Sequence, residues 1–268
     1  MKTLVLLTQI ALLALPCFLN AQEIIKVDSV RGQALITGRI SEAEARREAL
    51  NDAKVEALRK AGVSEHLQTY EMLFRSEMNN DFSEFFGSDI QAELQGAVQD
   101  YHVLSWSRKI DPETNLFAIE VLLNATIIKY SNRPDPTFNV KVEGIKPVYG
   151  EGENLTFTIF ATQNCYLHIF GITDKYTSLI YPNTWEAHKL FEAGKQEKFP
   201  IGNVEYPLFK SGKEPELTRI VFVFTKDPVQ YLSFKGEEQI TSSEAIFSWI
   251  YSLMPDRRKV DYHMFTVR

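Results

Sequence analysis

Cys165-Tyr166-Leu167-His168-Ile169-Phe170-Gly171-Ile172 and Arg219-Ile220-Val221-Phe222-Val223-Phe224-Thr225 are the two stretches on which the fold turns. A strand with one wet face alternates apolar and polar residues. These two are apolar at odd and even positions alike, so both faces are to be covered, and the two runs read as partners at the centre of a packed sheet. Shorter alternating runs surround them. Phe138, Val140 and Val142 alternate with Asn139, Lys141 and Glu143, and after the turn Gly150-Glu151-Gly152-Glu153 come Leu155, Phe157, Ile159 and Ala161. Short strands between Gly and Pro turns predict a mostly-β sandwich over residues 138–268. It carries one late helix, boxed at its start by Thr241 and Glu244, with Ile246, Trp249, Ile250 and Leu253 on its inner face and Pro255 at its end. Val260 to Val267 returns as a last strand.

Upstream, Ser131-Asn132-Arg133-Pro134-Asp135-Pro136-Thr137 is a polar run stiffened by two prolines, and residues 133–137 read as a linker. The acidic excess lies mainly before it, which marks residues 22–132 as a separate domain, each half being expected to fold alone. This first domain reads as β-α-β-β, an α+β unit with a helix packed on an antiparallel sheet. Ile24 to Ile40 is a strand. Ser41 and Glu44 form a capping box and Gly62 supplies the left-handed stop of a long helix. Ala45, Ala49, Ala53, Ala57 and Ala61 recur every fourth residue, flanked by Leu50 and Leu58, so the helix axis approaches the sheet closely. Ser64 to Met78 is a second amphipathic helix. Gly96–Ile110 and Leu116–Tyr130 are the arms of a hairpin across Asp111–Asn115, and Phe117, Ile119, Val121, Leu123, Ala125 and Ile127 give its second arm one buried face.

Lys2, the apolar run Leu4–Leu15, Pro16 and the small residue in Leu19-Asn20-Ala21 make residues 1–21 a secretory signal peptide. Pro16 stands where a lipobox before Cys17 needs a small residue, so processing without a lipid is expected. The chain is thus expected to be exported, periplasmic or outer-membrane-associated. Beyond residue 21 no run approaches the roughly 20 apolar residues of a membrane-spanning helix, so no transmembrane span is expected in the mature chain. A formal charge of −6 argues against nucleic acid or an anionic membrane surface as partner. Only Cys165 remains after processing, so no intramolecular disulfide is expected.

Gly32, the pattern Ala45-Arg46-x-x-Ala49-x-x-Asp52-Ala53-x-x-x-Ala57-Leu58, and Gly96 with Tyr101-His102-Val103-Leu104 resemble the N-terminal domain of flagellar assembly protein T and of related small outer-membrane lipoproteins, over roughly residues 24–130. The segment Ser64–Asp89 and the missing lipobox depart from that pattern, so the likeness does not imply a flagellar role. Tyr149-x-Gly-x-x-Glu-Asn-Leu, Cys165 to Phe170, Leu179-Ile180-Tyr181-Pro182-Asn183 and Ala193-Gly194 before Phe199-Pro200 resemble the domain-of-unknown-function family 4384 over roughly residues 138–232. That resemblance implies a sandwich appended to bacterial envelope and signalling proteins, and it brings no catalytic residues.

Candidate chemistry is sparse. Cys165 and His168 lie three apart on a strand, point to opposite faces and cannot form a nucleophile pair, so both read as core. His188 has no second histidine at zinc-ligand spacing and reads as a surface residue. Gly150-Glu151-Gly152 and Ser211-Gly212-Lys213-Glu214 lack the remaining residues of phosphate loops. Arg257-Arg258-Lys259 reads as a solvated loop. No catalytic residue, metal ligand or cofactor is assigned, and an enzyme is not expected. Binding candidates are more numerous. Tyr181, Asn183 and Trp185 lie in a loop at the sandwich end, where aromatic rings either close the core or stack on a sugar or peptide. Arg46 falls inside the alanine stripe and either extends past the sheet edge into water or faces a partner. Phe85 and Phe86, with Phe82, are either tucked beneath the domain or form a docking surface. Two functions remain, an envelope protein that binds an envelope protein partner or a second copy of itself, and a module for cell-wall glycan. A hydrolase with an unrecognised site stands third.

Overall fold

The computed structural model describes residues 23–63, 67–79, 94–232 and 240–268. The expected signal peptide, with Cys17, and Phe82, Phe85 and Phe86 lie outside the described residues. The described chain is an α+β unit followed by a largely β part with one late helix, as the patterning predicts.

The first unit is built from β1 (Glu23–Leu35), α1 (Glu42–Lys60), α2 (Leu67–Asn79), β2 (Gly96–Ile110) and β3 (Phe117–Lys129). Its antiparallel sheet has the order β1-β3-β2. Strand β1 is shorter than its apolar pattern suggests. Ser29, at φ 55°, makes a bulge between Val27 and Val30, so both valines share the buried face although their spacing is odd. The Ser29 amide donates to Asn124 Oδ1 (2.9 Å), and the strand ends at Leu35 before a turn on Thr37. The capping box of Ser41 and Glu44 and the left-handed Gly62 (φ +76°) bound α1 as expected. All five stripe alanines are buried. The approach is close: a methyl added at Gly32 would lie 2.3 Å from the Ala49 carbonyl oxygen and 2.3 Å from the Ala53 amide nitrogen. Asp52 Oδ2 accepts the Gln33 amide of β1 at 2.9 Å, tying the helix to the strand by a second means.

The second part has two sheets. Strands β4 (Val140–Glu143), β6 (Phe157–Ala161) and β9 (Gln196–Phe199) form one, in the order β4-β6-β9. Strands β5 (Val148–Tyr149), β7 (Tyr166–Ile172), β8 (Thr177–Tyr181), β10 (Glu216–Thr225), β11 (Ile240–Thr241) and β12 (Arg258–Val267) form the other, in the order β11-β8-β7-β10-β12-β5. Strands β7 and β10 pair antiparallel at its centre, Arg219 opposite Ile172 and Thr225 opposite Tyr166. Their two faces belong to different cores. Cys165, Leu167, Ile169, Ile220, Phe222 and Phe224 fill the space between the sheets. Phe170, Ile172, Val221 and Val223 face the other way, toward α3 (Ser243–Ser252), in an apolar cluster that continues to the alanines of α1. This third layer is why neither stretch alternates.

Helix α3 starts one residue later than its sequence suggests. Ser242, not Thr241, is the cap, its hydroxyl accepting the Ala245 amide at 3.2 Å. Glu244 points at the first unit, where it accepts from Lys54 and Tyr101. The basic run after α3 also departs from expectation, because Arg258 is buried. Its guanidinium donates to the Leu253 carbonyl and to Tyr130 Oη (3.3 Å), and lies over the rings of Tyr130 and Tyr251. Tyr130 closes β3, so this arginine and the bond from Tyr130 Oη to the Tyr251 carbonyl join the two units. The proline-containing run is pinned as well: Asp135 accepts from Lys226 Nζ (2.5 Å), Gln163 Nε2 (3.0 Å) and the Thr137 amide (2.8 Å), and these bonds hold its carboxyl well below the usual range. Among the described residues no helix is long and apolar enough to cross a membrane.

Candidate functional site

Among the described residues, three places set exposed rings or buried polar groups on a fixed scaffold. The first is the loop after β8. Tyr181 is fully buried, its ring edge-on to Phe199 and its hydroxyl donating to the Ala187 carbonyl (2.9 Å). It closes the core and offers no face to a ligand. Asn183 is committed to the loop's own turn: its Oδ1 accepts the amides of Trp185 (2.8 Å) and Glu186 (2.9 Å), and its Nδ2 donates to the Ile180 carbonyl (2.8 Å). Glu186, buried, accepts from the Ile201 amide (2.6 Å) and the Tyr206 hydroxyl. These bonds hold up Trp185, which is 80% exposed. Of the three residues expected to bind here, only Trp185 presents a ring.

The same loop returns along β7 through the paired backbone bonds of Cys165 and Phe191, and this sets His188 against His168. His188 is half-buried, not a plain surface residue. Its ring centre lies 5.0 Å from Tyr166 and 4.7 Å from His168, with Trp249 of α3 packed edge-on to His168. Burial, with a smaller contribution from His188, pushes His168 down to about 3, and burial lowers His188 too, so both rings are neutral. Both line a 340 Å³ cavity with Leu179, Pro182, Thr184 and Tyr231. Cys165 is on the opposite face, its thiol pushed up to about 12 by burial, so no thiol–imidazole pair exists.

The second place is the cleft between the units. Lys54 of α1 is buried, with Nζ over the rings of Phe74 and Tyr101 and an ion pair to Glu244. Tyr101 donates to the same Glu244 oxygen (3.1 Å). Glu77 faces this group, and burial together with Glu244 raises it to about 8 against the opposing pull of Lys54. The cleft encloses 420 Å³. Sequence reading passed over Lys54, although Leu50, Lys54 and Leu58 form one row along the helix and the signal was there.

The third place is the tip of the β2–β3 hairpin. Trp106, Arg108, Ile110 and Phe117 lie on the face of the sheet that carries α1, but beyond the helix end. Ile110 is 59% and Phe117 47% exposed. The Arg108 guanidinium sits 4.0 Å above Phe117 and that of Arg46 lies 5.3 Å from Trp106, while both arginines pair with Glu42. Arg46 therefore leaves the stripe and packs on an exposed aromatic ring at the surface.

Among the described residues no group of three or more His, Cys, Asp or Glu side chains could hold a metal ion. No curated protein matches the chain. Residues 148–228, which run from β5 to just past β10 and include both central strands, match the model of the family described as Domain of unknown function (DUF4384).

Proposed function

We propose that this chain is an exported, non-catalytic envelope protein that works by holding another protein, with the β2–β3 tip as its grip. The observation that carries the reading is the set of Trp106, Ile110 and Phe117, exposed on one face with Arg46 and Arg108 laid over two of the rings. Tryptophan and arginine dominate the centres of protein interfaces, because a large ring with a pre-placed cation loses little freedom on binding. The sequence pattern of residues 24–130, read as resembling the N-terminal domain of flagellar assembly protein T, is in keeping with an assembly role and implies no flagellar process. Retention of a protein from envelope extracts by the intact chain, lost in the double variant Trp106→Ala with Phe117→Ala, is the expected result. Equal retention by that folded variant removes the tip from consideration.

A second reading, a cell-wall glycan module, is favoured by Trp185, whose exposed ring stands on a loop fixed by Asn183 and Glu186. Co-sedimentation with isolated wall polymer, abolished by Trp185→Ala and untouched by changes at the hairpin tip, would put this reading first.

A further inference from the structure

We propose that His168 and His188 form a two-imidazole site for a divalent transition-metal ion, Cu2+ in preference to Ni2+, in the cavity between the loop after β8 and residues 230–232. Nδ1 of His168 and Nε2 of His188 are both shielded from solvent, and neither has a hydrogen-bond partner among the described residues. Buried imidazole nitrogens are normally paired, so two orphans on adjoining rings mark a place built for something further. His168 is 1% exposed and lies in the middle of β7, fixed by Phe170 and Trp249, while His188 rides on a loop pinned by Glu186 and the Cys165–Phe191 bridge. One ligand is therefore fixed within the sheet and the other is half-buried on a pinned loop.

The donor type selects the ion. Ring centres 4.7 Å apart set the two imidazoles side by side, and neutral imidazole nitrogen is a ligand type that suits Cu2+ and Ni2+. Cu2+ stands highest in the affinity order for nitrogen ligands. Two neutral donors leave the other positions to water, with the Thr184 hydroxyl and the Gln230 amide at the cavity wall.

The probe is Cu2+ itself, added to the chain from residue 22 onward and followed by electron paramagnetic resonance and thermal melting. Coupling to two equivalent-type nitrogens is expected in the parent, with a rise in melting temperature that grows with Cu2+ concentration. His188→Ala, at the half-buried position, should fold as the parent does without metal, lose one nitrogen from the spectrum and bind about tenfold or more weakly. His102→Ala with His263→Ala should change nothing, which sets adventitious histidines aside. Parent-like Cu2+ affinity in His188→Ala, or a parent spectrum without two coupled nitrogens, overturns the assignment.

Discussion

Lys54 and Glu244 are separated by 190 positions in the chain, yet Lys54 Nζ lies 2.6 Å from Glu244 Oε1. The lysine comes from the helix that covers the first sheet, the glutamate from the first turn of the helix that covers the second. Their pairing is one of the polar contacts between the two units, and its two ends are unequally wet: the lysine side chain is 6% exposed and the glutamate 48%.

Lys54→Ala removes the cation that pairs with Glu244 and opposes the raised pKa of Glu77 in that cleft. A broken, fully buried pair costs roughly 3–5 kcal/mol; with Glu244 half in water the expected loss is about 2 kcal/mol, read by denaturant unfolding. Lys54→Met loses the ammonium over Phe74 and Tyr101 but keeps an unbranched apolar stem in the buried position and should lose less. Equal stability of all three proteins would mean the cleft is open to water.

Glu77 gives the pH dependence a sign. Its folded pKa is raised from 4.5 to about 8, so between those values the native chain holds a proton that the unfolded chain has released. Its contribution is therefore fully present below about pH 4.5 and falls as pH rises toward about 8. Glu77→Gln should flatten that part of the stability profile. A profile unchanged by the substitution would place the carboxylate in solvent.

Gly32→Ala tests the close approach of α1 to β1. The new methyl meets backbone atoms of Ala49 and Ala53, which cannot rotate away, so the helix must lift off the sheet. A loss of about 1–3 kcal/mol or more is expected, and Ala53→Leu should act from the other side of the same contact. A parent-like melting temperature for either variant would show slack at this seam.

Cys165 should resist thiol reagents. It is fully buried with its pKa pushed up to about 12, so in the chain from residue 22 onward labelling at pH 8 should follow global unfolding. Labelling much faster than unfolding would reveal local opening of β7. Cys165→Ala should lower stability modestly through packing and leave partner capture intact.

Much of the architecture was legible because it rests on local periodicity. The double-sided burial of residues 165–172 and 219–225, the Ser41 capping box, the alanine stripe and the Asp111–Asn115 turn are all properties of a few consecutive residues. What escaped depends on partners far away in the chain. Arg258 sits in a basic run and finds a carbonyl and two tyrosine rings instead of water. His188 carries no spacing signal toward His168, because a hairpin and a returning loop bring the rings together. The one-residue error at the late cap has a local cause: Thr241 and Ser242 are both good caps, and Thr241 is already held as part of β11.

The central strands β7 and β10 work as a party wall: neighbours in sequence such as Leu167 and His168 live in different rooms. The matched segment, residues 148–228, includes that wall but not α3 or α1, the elements that furnish its far side. A chain that carried this segment without such neighbours would leave Phe170, Ile172, Val221 and Val223 facing water, a sticky plate the width of two strands. The residue types at those four positions thus form a bar code for the tenant of the wall: apolar where another unit is built against it, polar where the sandwich stands alone.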